Sequence, residues 1–271
     1  MSEKTLSHIE KQIIKEYKNG NGVCEIAKNC NLYRGTVLQI LNRNGIKTER
    51  ITRPYKNKFD ISFFSEYTNI SAYWAGFIYA DGYIHNRGQS VLKIALKNTD
   101  KSHLKKFSDA IRFTGKIHSY KYGKYNSSQI LVSGKWFSND LLKKYNITNR
   151  KSLTITFPNQ IPKKYLSHFI RGIFDGDGCV TKNGKNCPCI NITGNTKSIS
   201  IIRKIFLQIL KIRSNKFALP VINKKNKNIC CIGFSANKAK KILDWIYLNS
   251  NDNIRLNRKY KRYIKYFERY T

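Results

Sequence analysis

Two short runs each end in a carboxylate flanked by small residues. "AYWAGFIYADGYI" (72–84) sets Asp81 between Ala80 and Gly82, and 96 positions later "FIRGIFDGDGCV" (169–180) sets Asp177 between Gly176 and Gly178. Between Ser71 and Phe267 the acidic residues number eight, all Asp, and three of them (Asp81, Asp175, Asp177) lie in these two runs. Gly76 and Ala80, and equally Gly172 and Gly176, stand four apart and share one face of a helix, so two such helices can approach backbone to backbone. Each terminal Asp then lies at a helix C-terminus, where the macrodipole disfavours negative charge by about 0.3–1 kcal/mol. Two such ends side by side add like-charge repulsion. A divalent cation relieves both terms, and an oxygen-rich, partly hydrated site suits Mg²⁺.

The elements that must position these carboxylates form a tandem repeat. Aligning Asp81 with Asp177 brings Tyr73 onto Phe169, Gly76 onto Gly172 and Gly82 onto Gly178. After each run comes a strand pair, then a helix ("NTDKSHLKKFSDAI", "NTKSISIIRKIFLQIL"), a second strand pair, and a helix ("SNDLLKKY", "NKAKKILDWIY"). Each half, 59–150 and 151–271, therefore reads αββαββα, an α+β fold. The strands alternate with period two. In "LKIALK", Leu92, Ile94 and Leu96 oppose Lys93 and Lys97; Ile130 and Val132 oppose Gln129 and Ser133; Ile190 and Ile192 oppose Asn191 and Thr193. One face packs on helices, and the other offers the side chains that contact base edges and phosphates.

The chain has 271 residues with 51 Lys+Arg against 16 Asp+Glu, a net charge of +35 and a pI near 10.0. Charge of that size calls for a polyanionic partner. No apolar run approaches the roughly 20 residues of a membrane span, and the charged first twenty residues do not read as a signal peptide, so an intracellular, non-membrane protein is expected. The seven cysteines contain no C-x-x-C, which disfavours a disulfide framework or a zinc site. "DGDGCVTKNGKN" fails as an EF-hand, with Asn186 where the closing Glu belongs.

Residues 1–46 predict a separate helical unit, and 47–58 a basic linker. Ile9, Ile13, Ile14 and Tyr17 keep helical spacing; a short helix, a turn at Asn31 and a second helix follow, with Ile26, Ala27, Leu32, Val37, Ile40 and Leu41 as core. The spacing resembles the helix–turn–helix of resolvases, whose second helix enters the major groove; Arg34, Thr36 and Gln39 are the expected contacts. Tyr33 departs from that pattern, which usually has a small N-cap such as Ser.

"WAGFIYADG" (74–82) and "IRGIFDGDG" (170–178) resemble the paired motifs of the single-chain, two-repeat LAGLIDADG homing endonucleases, over roughly residues 59–271. The resemblance implies a pseudo-symmetric saddle of sheets over double-stranded DNA, motif helices at the interface, and staggered cuts with short 3′ overhangs. It implies that Asp81 and Asp177 bind metal, with the carbonyls of Ala80 and Gly176 assisting. It also places a basic residue near the metals in each half, here Lys135 and Lys238, while Lys97 takes a polar position that Gly194 leaves vacant. Tyr79 and Arg171 depart from the ideal motif. The same scaffold also serves an RNA-binding intron maturase or a non-cleaving DNA-binding regulator. The expected protein is a monomeric, Mg²⁺-dependent DNA endonuclease, with intron RNA the alternative partner.

Overall fold

The computed structural model describes residues 7–19, 21–46, 57–87, 89–123, 125–149, 155–184, 186–213 and 218–270, apart from the side chains of 86, 87, 89, 122, 135 and 136. The expected linker over 47–58 falls mostly outside them. The chain divides into two compact units, Met1–Lys56 and Asn57–Thr271.

The first unit holds α1 (His8–Lys18), α2 (Val23–Asn29) and α3 (Arg34–Arg43). Ser7 starts α1 through a capping box: its hydroxyl accepts from the Glu10 amide at 3.3 Å, and its own amide donates to Glu10 Oε2 at 2.9 Å. Ile13, Ile26, Ala27, Val37, Ile40 and Leu41 form the core, with Leu32 packed against it. Ile9 is the exception among the expected apolar positions, 48% exposed. The inward place goes to Glu10, drawn back by the capping box and paired with Arg43 of α3. Tyr33 precedes α3 without a capping hydrogen bond, its ring 89% exposed.

The second unit carries the repeat. Its first half runs α4 (Asn69–Asp81), β1 (Gly82–Arg87), β2 (Gln89–Lys97), α5 (Lys101–Ala110), β3 (His118–Tyr122), β4 (Tyr125–Ser133) and α6 (Lys135–Tyr145). The second runs α7 (Lys163–Asp177), β5 (Gly178–Lys182), β6 (Pro188–Asn195), α8 (Thr196–Ile209), β7 (Val221–Ile222), β8 (Ile229–Ser235) and α9 (Ala236–Tyr247), followed by α10 (Asn257–Phe267). The α+β class and the αββαββα order are as expected. Each half has one antiparallel sheet, ordered β1-β2-β4-β3 and β5-β6-β8-β7.

Alternation decides which face is buried. Leu92, Ile94, Ile130, Val132, Ile190 and Ile192 lie in the core, while Lys97 and Thr193 are exposed and Lys93, Gln129, Ser133 and Asn191 half-buried. α4 is different: residues 71–79 are buried all round, the mark of a helix inside the protein rather than on it. A reciprocal cap between Thr68 and Ser71 starts it, at 2.9 and 3.0 Å.

Candidate functional site

α4 and α7 cross at their glycines. A Cβ placed on Gly76 would lie 1.9 Å from the Phe169 carbonyl oxygen, and one on Gly172 2.1 Å from that of Tyr73. Both are far inside van der Waals contact, so the backbones touch where side chains would otherwise hold them apart. The two collisions are mates under the repeat alignment, each glycine meeting the carbonyl three residues before the other. One turn further on, a Cβ on Gly176 would lie 2.4 Å from Ala80 Cβ and 3.4 Å from Asp81 Oδ2. The carboxylate that ends α4 therefore rests against the last turn of α7, next to Asp177. Asp81 and Asp177 are the final residues of their helices and both are exposed.

Asp175 has a different fate. Two residues apart on a helix is about 200° of rotation, so Asp175 faces inward where Asp177 faces out. It is 1% exposed and accepts from Tyr73 Oη (2.9 Å), Tyr247 Oη (2.8 Å) and the Leu256 amide (2.7 Å). Burial pushes its carboxyl up from the ordinary range, against the charge of Lys259 and the three donors. The Tyr73 hydrogen goes to Asp175, so the contact of its oxygen with His103 Nε2 (3.0 Å) is donated by the imidazole. Burial pushes His103 down to about 3, which keeps it neutral.

The two motif departures are both structural. Tyr79 stands where α7 has Asp175; it is buried and shares a 2.6 Å hydrogen bond with Ser198. Burial first, and the charge of Asp177 in the same direction, push its hydroxyl up to about 12. Arg171 is fully buried and donates to the carbonyls of Ile254 (2.8 Å) and Ile246 (2.7 Å) and to His168 Nδ1 (2.7 Å), tying α7 to the last turn of α9 and to the chain after it.

One residue beside the carboxylates lies in the closing stretch "LNRKYKRY" (256–263), inside the span of the resemblance but with no role expected of it. Lys259 Nζ, at the start of α10, donates to the carbonyls of Phe174 (2.8 Å), Asp175 (2.7 Å) and Gly176 (3.1 Å). These are last-turn carbonyls, the group a helix end leaves short of partners. An ammonium has three N–H donors, and all three are used, so the side chain is charged although 4% exposed. Burial lowers its pKa, while Asp175, Asp81 and Asp177 hold it up. Its ammonium feels both terminal carboxylates, which places them in one neighbourhood. The tripeptide of Lys259, Asn-Arg-Lys at 257–259, also stands at 149–151 in the first half, which is the signal the sequence carries for it.

Of the other expected site residues, Lys135 begins α6 and its side chain lies outside the described part, while Lys238 is exposed in the first turn of α9. Strand pairing sets Lys93 opposite Tyr83 and Leu131, and Gln129 opposite His118 and Ala95. The outer face of the first sheet thus includes Tyr83 and His118, which alternation alone did not single out. Gln129 Nε2 donates to Tyr120 Oη at 3.1 Å on the same face. In the first unit Arg34 and Gln39 are exposed along α3, with Thr36 half-buried. No described helix is long and apolar enough to cross a membrane.

The donors at the α4 and α7 ends are carboxylate and carbonyl oxygens, a set that suits a hard divalent cation retaining several waters. Among the described residues there is no group of three or more His, Cys, Asp or Glu of the kind that encloses a metal by itself. A cation here would need further ligands from water or substrate.

Residues 164–230, which span α7 to the start of β8, match the family described as LAGLIDADG-like domain. Over 114 residues the chain is 25% identical to a DNA polymerase of Thermococcus sp. (strain GE8), a match covering 42% of this chain and 7% of the polymerase, so the chain spans only a small part of that relative. It is similar to the structure of the I-LtrWI LAGLIDADG homing endonuclease bound to target DNA (11% identity, TM-score 0.47, 77% of this chain and 91% of that one). It is also similar to the LAGLIDADG meganuclease I-CpaMI bound to uncleaved DNA (12%, TM-score 0.47, 74% and 90%).

Proposed function

We propose that this chain, whose residues 164–230 are a LAGLIDADG-like domain, is a site-specific endonuclease that cuts both strands of double-stranded DNA. The observation that carries the reading is the abutment of the two helix ends that carry Asp81 and Asp177, in a protein of net charge +35. Two exposed carboxylates at the abutting negative poles of two helices are electrostatically unfavourable. Cations offset that cost, and divalent metal bound with DNA phosphates supplies them.

In this reading Asp81 and Asp177, with the carbonyls of Ala80 and Gly176, hold the divalent cations, of which Mg²⁺ best matches an oxygen set with room for water. The metal supplies Lewis-acid stabilisation of the charge that builds on a phosphodiester under attack by water. In the same reading Lys135 and Lys238 pair with phosphate oxygens beside the cut. The sheet faces, through Lys93, Lys97, Gln129, Ser133, Asn191 and Thr193, track the duplex, and Arg34, Thr36 and Gln39 of α3 add contacts in a neighbouring major groove.

The test selects a target from a randomised DNA library in Mg²⁺, then compares wild type, Asp81→Asn and Asp177→Asn. Asn keeps the shape and removes the charge. Both variants should bind the target in Ca²⁺ as wild type does and lose double-strand cleavage in Mg²⁺ by several orders of magnitude. Full cleavage by either variant removes these carboxylates from the reaction. Tight wild-type binding without cleavage returns the chain to a DNA-binding regulator, and preferential binding of structured RNA to a maturase.

A further inference from the structure

Between the start of α5 and the start of α10 lies a cavity of about 400 Å³, a size that takes a small ligand. Ser102, His103 and Lys106 line it from α5, and Asn257, Arg258 and Lys261 from α10. Both sets follow the spacing i, i+1, i+4, which covers one side of a helix. Leu104 and Phe107 of α5 enter the core with Leu92 and Ile94. The cavity therefore lies in the helix layer, away from the outer sheet face assigned to the duplex.

Two features define what it accepts. The first is charge: Lys106, Arg258 and Lys261 set three cations against one lining carboxylate, Asp100. That carboxylate already accepts from Arg258 Nε (3.2 Å) and Nη2 (2.9 Å). Lys106 Nζ gives one hydrogen to the Arg255 carbonyl at 3.3 Å, and an ammonium has two more to give. The second feature is a pair of buried acceptors without a donor, His103 Nδ1 and Asn257 Oδ1. The neutral His103 spends its one hydrogen, on Nε2, on Tyr73 Oη, so Nδ1 offers a lone pair on a side chain 1% exposed. Buried acceptors left unmet are costly, and the phosphodiester of DNA has no hydrogen to offer them.

A ligand that meets both demands carries an anion and hydroxyl groups together. We propose that this cavity binds a ribose 5-phosphate group, with the phosphate held by Lys106, Arg258 and Lys261 and the adjacent 2′- and 3′-hydroxyls donating to His103 Nδ1 and Asn257 Oδ1. A free ribonucleotide and the 3′-terminal nucleotide of an RNA strand both present that group, whereas DNA lacks the 2′-hydroxyl. Ser102 adds a hydroxyl that gives or takes a hydrogen. Because α5 belongs to the first repeat and α10 follows the second, the occupant bridges the two.

Isothermal titration of the full chain at fixed salt compares ribose 5-phosphate, 2-deoxyribose 5-phosphate and inorganic phosphate, which differ in hydroxyls but little in charge. Ribose 5-phosphate should bind once per chain, and the other two roughly 10- to 100-fold more weakly, the loss that follows when a buried acceptor goes unmet. Asn257→Leu should erase the preference for ribose over deoxyribose, and Lys106→Met should weaken all three ligands alike. His103 is kept, because its Nε2 also serves Tyr73. Equal binding of the three ligands overturns the proposal and leaves a basic patch that attracts any phosphate. A ribose preference that survives Asn257→Leu overturns it too, since the sugar is then held elsewhere. No binding at millimolar ligand leaves a cavity filled by water alone. Should Asn257→Leu fail to fold, the wild-type preference and a loss of affinity in Lys261→Ala, at an exposed position, decide instead. Competition against bound ribose 5-phosphate separates the sources. Displacement by adenosine 5′-monophosphate alone identifies a free nucleotide. Displacement by a short RNA with a free 3′ end, and not by its 3′-phosphorylated form, identifies an RNA terminus. Displacement by neither overturns the proposal, because no nucleotide then fits.

Discussion

The Tyr73 hydroxyl of α4 donates to Oδ2 of the buried Asp175 in α7 at 2.9 Å. Under the repeat alignment the mates of these residues are Phe169 and Tyr79, and they too are in contact, as an edge-to-face ring pair with centroids 5.5 Å apart. One pseudo-symmetric position is thus polar and the other aromatic, so the two motif helices cannot exchange places. The hydroxyl also serves His103, so one oxygen links α4, α5 and α7.

Tyr73→Phe should therefore destabilise the second unit beyond the loss of one surface hydrogen bond. It removes a donor to a buried carboxylate and strands the His103 Nε2 hydrogen, a cost of about 1–3 kcal/mol. Urea unfolding followed by tyrosine and tryptophan fluorescence measures it. A midpoint equal to wild type would show that Tyr247 and the Leu256 amide suffice for Asp175.

Gly76→Ala and Gly172→Ala should each cost at least as much. The new methyl would meet a backbone carbonyl near 2 Å, and only separation of the helices relieves that; overpacking of this kind costs about 1–3 kcal/mol and sometimes more. Separation also moves Asp81 away from Asp177, so cleavage should fall further than stability explains. Thermal melting and cleavage at a temperature where both proteins stay folded give the two numbers.

Stability should fall as the pH drops below neutrality. Burial pushes His103 down to about 3; burial, with the Arg171 charge, pushes His168 down to about 4; both start from 6.5. Between those values the unfolded chain binds more protons than the folded one, so stability rises with pH there. The contribution is complete above about pH 6.5 and is lost progressively toward pH 4 and below. Asp175, pushed up by burial, works in the opposite sense at low pH. Urea midpoints at pH 7.5 and 5.5 for wild type and His168→Gln separate them: the variant should show the shallower decline.

Removing the first unit, Met1–Lys56, should weaken DNA binding without moving the cut. Phosphate contacts release counterions, so log affinity falls linearly with log salt at a slope set by their number. The full chain should show a steep slope, and the shortened chain a shallower one with a smaller footprint. An unchanged footprint would assign α3 to some other partner.

Much of this was legible in the residues. The period-two strands, the small residues four apart and the doubled Asp each follow from local geometry that a linear pattern records, and they predicted the αββαββα order, the buried sheet faces and the close helix pair. The resemblance added the metal-binding role expected of Asp81 and Asp177. Glu10 replacing Ile9 in the first unit depended on a cap and on Arg43 of a later helix, and alternation could not choose between Tyr83 and any other outward residue. The tertiary structure alone decided the division of labour between Asp175 and Asp177 and the place of Lys259. Asp175 lies inside because Tyr73, Tyr247 and Leu256, from 72 to 102 positions away, supply the donors that make a buried carboxylate tolerable. Lys259 caps α7 across more than 80 positions. The solvation of a charge depends on which groups the finished fold brings around it, and no periodicity along the chain encodes that.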